Sequence, residues 1–76
     1  MARHTDPRFP RTVVYLKRIS PTNYTVSVMV QRHYNGRWAE EARIETINHP
    51  REARLIARAF AKTFQDLYGK EVEIVS

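Results

Sequence analysis

The segment TVSVMVQRHYNGRWAEEARIE, residues 25–45, decides the fold. Val26, Val28 and Val30 alternate with Thr25, Ser27, Met29 and Gln31. Beyond the Asn35-Gly36 dipeptide, Trp38, Ala42 and Ile44 alternate with Arg37, Glu41, Arg43 and Glu45. Two period-two runs flanking Asn-Gly predict a β-hairpin. Parity then tests the register. A two-residue loop would set Val28 opposite Arg43 and Val30 opposite Glu41, putting valines and charges on one face, which a half-buried sheet rejects. A three-residue loop, Tyr34-Asn35-Gly36 with Gly36 left-handed, sets Val28 opposite Ala42 and Val26 opposite Ile44 instead. The outer face then carries Thr25, Ser27, Met29, Gln31 and His33 beside Arg37, Ala39, Glu41, Arg43 and Glu45.

A helix follows at once, PREARLIARAFAKTFQDLY, residues 50–68. Pro50 suits the first helical position, and Glu52 favours the positive end of the helix. The capping residue is His49, with Asn48 the chemically better cap one residue earlier. Ala53, Ile56, Ala57, Phe60, Phe64 and Leu67 fall at helical spacing and predict the buried stripe. Arg51, Arg54, Arg58 and Lys62 form a basic stripe away from it, and Gly69 stops the helix.

Working outward, Met1 to Arg11 reads as a basic arm with Arg3, Arg8 and Arg11 between prolines, poor material for helix or strand. Thr12 to Ile19 reads as a first strand with Val14 and Leu16 inward, and Ser20-Pro21-Thr22-Asn23 as its turn. Glu71 to Val75 reads as a last short strand with Val72 and Ile74 inward. A right-handed crossover through the helix would place it parallel to the first strand. The expected class is α+β: a β-β-β-α-β chain whose three- to four-stranded mixed sheet, in the order 4-1-2-3, is covered on one face by a single helix. One domain of 76 residues is expected, residues 1–11 being the arm and 12–76 the body.

Composition bounds the chemistry. The chain has no Cys, which excludes disulfides, thiol catalysis and Cys-ligated zinc and is compatible with a cytoplasmic location. No apolar run approaches the ~20 residues of a membrane span. The basic N-terminus is followed by no apolar stretch, so a signal peptide is not expected there. His4, His33 and His49 lack metal-ligand spacing, the serines lack a nucleophile-elbow context, and both glycines, Gly36 and Gly69, are needed for turns. Neither an enzyme nor a bound cofactor or metal is expected. The net charge of +5 and the pI near 10.1 point to an anionic partner.

Tyr24-Thr25-Val26-Ser27-Val28, the Asn-Gly turn, Arg37-Trp38, and Glu52-Ala53 at a helix start together resemble the three-strand-plus-helix DNA-binding domains of tyrosine-integrase arm-binding modules and the AP2 family. The resemblance covers about 45 residues, 24–69. It implies a sheet face that enters the major groove, with Thr25, Ser27, Gln31, His33, Arg37 and Arg43 as contacting side chains. The expected nucleic-acid set is Arg3, Arg8, Arg11 and Lys17 on phosphates with Gln31, His33, Arg37 and Arg43 near bases. Glu41 and Glu45 on that face would repel phosphate. The alternative partner is therefore a protein, met by Met29, Tyr34, Glu41, Arg43 and Glu45. In size and layering the chain is similar to phage-encoded inhibitors such as anti-CRISPR proteins, which occupy a host nucleoprotein complex. An open sheet edge also leaves a homodimer possible; a membrane partner is not expected.

Overall fold

The computed structural model describes residues 8–47 and 49–76, Ile47 through its backbone alone. Strand β1 spans Arg11–Arg18, β2 Asn23–Gln31 and β3 Trp38–Ile47; helix α1 spans Pro50–Tyr68 and strand β4 Glu73–Val75. The sheet order is β3-β2-β1-β4, with β1, β2 and β3 an antiparallel meander and β4 parallel to β1. This is the expected α+β architecture and strand order. The first strand begins one residue earlier than its sequence pattern suggests, so Arg11 belongs to the sheet rather than to the arm.

The core is a layer of valines under a layer of alanines. Val14, Val26, Val28 and Val30 are fully buried, and the helix sets Ala53, Ala57 and Ala61 against them. Burying each valine contributes about 1.5–3 kcal/mol. Alanine at every fourth helical position lets the helix axis approach the sheet, and Ile56, Phe60, Phe64 and Tyr68 fill the flanks half-buried. Leu67, expected in the buried stripe, is 65% exposed. The alanine row turns that stripe by part of a turn, so Ala61 and Tyr68 take the inward positions instead. Ile44 points to the helix side of the sheet as expected, yet it stays 41% exposed because one helix covers the centre of a four-stranded sheet and not its β3 edge.

The hairpin keeps the expected pairs Val26–Ile44 and Val28–Ala42, but its odd residue lies elsewhere. Gly36 does not have a positive φ; its N–H donates to the His33 carbonyl at 2.9 Å, closing a loop over residues 32–37. The extra residue is Glu41, at a β-bulge after the Val28–Ala42 pair. Beyond it Met29 pairs with Glu40, Val30 with Ala39 and Gln31 with Trp38. The bulge keeps Glu40 from standing opposite Val30 and brings Ala39, expected on the outer face, to the helix side there, where it stays exposed at the uncovered β3 edge. It also moves Trp38, expected inward, to the outer face. Glu41, expected outside, instead meets Arg32 at 2.6 Å. The Arg32 guanidinium is held above its ordinary pKa, first by the hydrogen bond to Glu41, then by its charge, and more weakly by Tyr68.

Helix α1 starts at Pro50 after His49, whose side chain makes no capping hydrogen bond; the His49 carbonyl accepts from Ala53 N–H at 3.0 Å. Asn48, the better cap on chemical grounds, lies outside the described residues. The helix ends at Gly69 in the left-handed conformation, φ 67°, its N–H donating to the Gln65 carbonyl at 2.8 Å. A Cβ at Gly69 would meet nothing within 4 Å, so the conformation alone opposes a side chain. Gly69→Ala is therefore expected to cost about 1 kcal/mol and Gly69→Asn less, read from denaturant unfolding midpoints. Equal costs would show that the left-handed cap is not what selects glycine.

Candidate nucleic-acid interface

On the face of the sheet opposite the helix the strand register arranges the side chains in four cross-strand rows, with Val13 and Thr25 buried among them. At the hairpin end stand Arg11, Gln31 and Trp38; next come Glu73, Val13, Met29 and Glu40; then Val75, Tyr15, Ser27 and Arg43; and last Lys17, Thr25 and Glu45. Charge thus alternates along the face. The hairpin-end row is basic, the second row is acidic, the third carries Arg43, and Lys17 is balanced by Glu45 across the last.

The hairpin-end row floors a hollow of about 500 Å³ lined by Arg8, Phe9, Arg11, Gln31, Tyr34 and Trp38. Among the described residues that line it, three of six are aromatic, two are arginines, and none is acidic. The rings are held in place by their neighbours. Phe9 meets Tyr34 edge to face, with ring centroids 6.4 Å apart and planes at 88°. The Arg11 guanidinium carbon lies 5.6 Å from the Trp38 ring centroid, and that of Arg8 lies 5.9 Å from Phe9, both within cation–π range. Gln31 Nε2 donates to the carbonyls of Tyr34 at 3.3 Å and Gly36 at 3.0 Å, bracing the loop over the hollow. Trp38 is nonetheless 38% exposed and Tyr34 69% exposed, so both keep surface for a ligand.

A second hollow, of about 440 Å³, occupies the other end of the same face, where Tyr15, Lys17, Thr25, Met29, Glu40 and Arg43 are among its lining residues. Its charges are mixed. Arg43 stands 3.5 Å from Glu45, and the Lys17 ammonium lies 5.9 Å from the centroid of the Tyr15 ring. Thr25 Oγ1 is buried in it without a hydrogen-bond partner among the described residues.

The structure therefore divides the residues singled out from sequence. Arg8, Arg11 and Gln31 gather at the first hollow with Tyr34. His33 and Arg37 stand exposed in the adjoining loop and do not line it. Lys17, Arg43 and Met29 gather at the second, with Glu45 beside Arg43. Glu41 belongs to neither, since the bulge turns it to Arg32. Arg3 lies outside the described residues. Sequence reasoning missed Phe9 and the outward Trp38. Among the described residues no group of His, Cys, Asp and Glu could hold a metal ion, and no helix is long and apolar enough to cross a membrane. No family model matches the chain, and neither the curated proteins nor the solved structures contain a significant match.

Proposed function

We propose that this chain is a non-enzymatic nucleic-acid-binding protein that takes an unstacked, single-stranded segment into the aromatic, arginine-lined hollow at the hairpin end. The observation that carries this reading is the composition of that hollow: Phe9, Tyr34 and Trp38 beside Arg8 and Arg11, with no acid among the described residues that line it. Bases stack on exposed aromatic faces whatever their identity, and arginines neutralise the phosphates between them. Arg37 in the adjoining loop extends the basic strip. The acidic row behind, Glu40 and Glu73, confines the backbone to this end of the face. Pressing the whole face into a duplex groove would instead carry Glu40, Glu45 and Glu73 toward phosphates, which favours a single strand over the duplex.

The test is the anisotropy of a labelled oligothymidine and of a labelled duplex at ~50 and ~200 mM salt. For single strands the logarithm of the affinity falls by about 0.7 per neutralised phosphate, so three phosphate contacts predict a loss of roughly twentyfold across that fourfold change in salt. Binding to the single strand with this slope, and weaker binding to the duplex, supports the reading. Absent binding at ~50 mM salt, or an affinity indifferent to salt, overturns it.

The second hollow favours a different partner. Its mixed charges and the thioether of Met29 suit a protein surface better than a phosphate chain, since Met and Arg are enriched in protein interfaces. A docking site for a protein, such as a host nucleoprotein, rests on that end of the face.

A further inference from the structure

We infer that the free edge of β3 is a self-association surface for a second copy of this chain, paired antiparallel about a two-fold axis through Ile44. The inference is independent of nucleic-acid binding. It rests on the sequence of one strand and on how much of its surroundings the helix leaves open.

Strand β3 is ten residues long and forms one edge of the sheet, with β2 as its sheet neighbour. Among the described residues nothing pairs with its other edge. An edge of this length presents a row of unpaired N–H and C=O groups to any strand that fits it. The bulge at Glu41 limits the regular part of the strand to its second half, Ala42 to Thr46. Within that half the residues alternate strictly. Arg43 and Glu45 lie on the outer face, and Ala42, Ile44 and Thr46 on the helix side.

Of the antiparallel registers centred on Ala42, Arg43, Ile44 and Glu45, one satisfies both faces. Centred on Ile44, it sets Ile44 opposite the partner's Ile44 and Ala42 opposite the partner's Thr46. It also sets Arg43 opposite the partner's Glu45, and Glu45 opposite the partner's Arg43. Centring on Arg43 would oppose two arginines, and centring on Glu45 two glutamates, each unfavourable directly across a strand pair. Centring on Ala42 would oppose Ile44 with the partner's Glu40. Arg43 and Glu45 pair with each other at 3.5 Å in the single chain and are both well exposed, their side chains at 52% and 60%, so each can exchange that contact for the partner's opposite charge.

The apolar surface agrees with this register. Ile44 is 41% exposed although it points to the helix side. The flank of α1 carrying Arg54 and Arg58 lines a hollow with Leu16 and Ile74, toward β1 and β4. Helical geometry therefore turns the opposite flank, with Ile56, Phe60 and Leu67, toward the β3 side. A two-fold axis normal to the sheet places both helices on one side and joins the two sheets into eight strands. The Ile44 pair is then covered between the two helix flanks, and the two hairpin ends lie at opposite ends of the continuous outer face.

The chain has no cysteine, which makes the test clean. Directly opposed residues of an antiparallel pair have Cα atoms roughly 4.5–5.5 Å apart, within the range a disulfide spans. The full chain carrying Ile44→Cys, treated with diamide, is expected to give a disulfide-linked dimer far faster than the chain carrying Leu55→Cys, whose side chain is exposed on the helix. Sedimentation equilibrium of the unmodified chain reads the association directly. Arg43→Glu alone is expected to weaken it roughly tenfold, because two attractive cross-strand pairs become repulsive, and Arg43→Glu with Glu45→Arg to restore it. A monomeric mass up to ~500 μM together with equal cross-linking of the two cysteine variants overturns the inference. So does a charge-swapped double variant no better than the single one.

Discussion

Replacing Ala57 with leucine is expected to lower the thermal unfolding midpoint by roughly 10 °C, although by hydrophobicity and helix propensity the change is mild. Ala57 sits at the centre of the alanine row, 1% exposed, against a sheet face whose valines are fully buried. A leucine there meets the packed valines on the sheet side, the hollow it borders lying to one flank beside Leu16 and Ile74. It must lift the helix from Val14, Val26 and Val28 or force its own rotamer, and overpacking of this kind costs about 1–3 kcal/mol. In a domain of this size each kcal/mol moves the midpoint by about 4–8 °C. The matching change at Ala59, exposed on the far side of the same helix, is expected to leave the midpoint within a few degrees. Calorimetry or circular dichroism melting of the two variants reads the difference. If Ala57→Leu melts with the unmodified chain, the helix does not lie as close to the sheet as its alanines imply.

Trp38→Ala is expected to weaken single-stranded nucleic-acid binding by roughly ten- to a hundredfold, since base–aromatic stacking contributes about 1–3 kcal/mol per base. Trp38 is well placed for this because its indole stands on the outer face with Arg11 held over it at 5.6 Å. Removing the ring takes away the stacking platform and also the group that orients the Arg11 guanidinium. Trp38→Phe keeps a smaller π face and is expected to lose less. Because Trp38 is 38% exposed and outside the core, the alanine variant is expected to fold, so a loss of affinity reads the site rather than the scaffold. An unchanged affinity, measured by anisotropy with the same labelled oligothymidine, would place the binding elsewhere on the chain.

Most of the fold was legible because its signals are local and concordant. Alternating valines mark β2, Asn-Gly marks the hairpin, Pro50 and Gly69 bracket the helix, and one helix between a meander and a last strand leaves few topologies open. The alanine row was harder to see. Hydrophobic periodicity ranks leucine above alanine, whereas a helix lying on a sheet needs small residues at the line of contact, so Leu67 was expected inside and Ala61 was not. The bulge was the decisive miss. A trace of it is present in the sequence: Ala39 and Ala42 are three apart, and both can lie on the helix side of the sheet only if one extra residue lies between them. Glu40-Glu41 is where that residue sits. Without the bulge, Trp38 falls on the buried face and the aromatic hollow cannot be assembled on paper. Phe9 left no signal, since nothing in an arginine- and proline-rich arm says which residue will lie against the hairpin loop.

Trp38 is the one tryptophan in the chain, so its intrinsic fluorescence reports on the proposed site alone. Titration of the full chain with unlabelled oligothymidine at ~50 mM salt tests the central claim most directly. A base stacking on the indole is expected to quench the emission, saturating at the concentration where anisotropy shows the complex forming, and raising the salt to ~200 mM is expected to reverse it. An oligonucleotide that binds by anisotropy while Trp38 emission stays constant would contradict the account, because the strand would then lie on another surface.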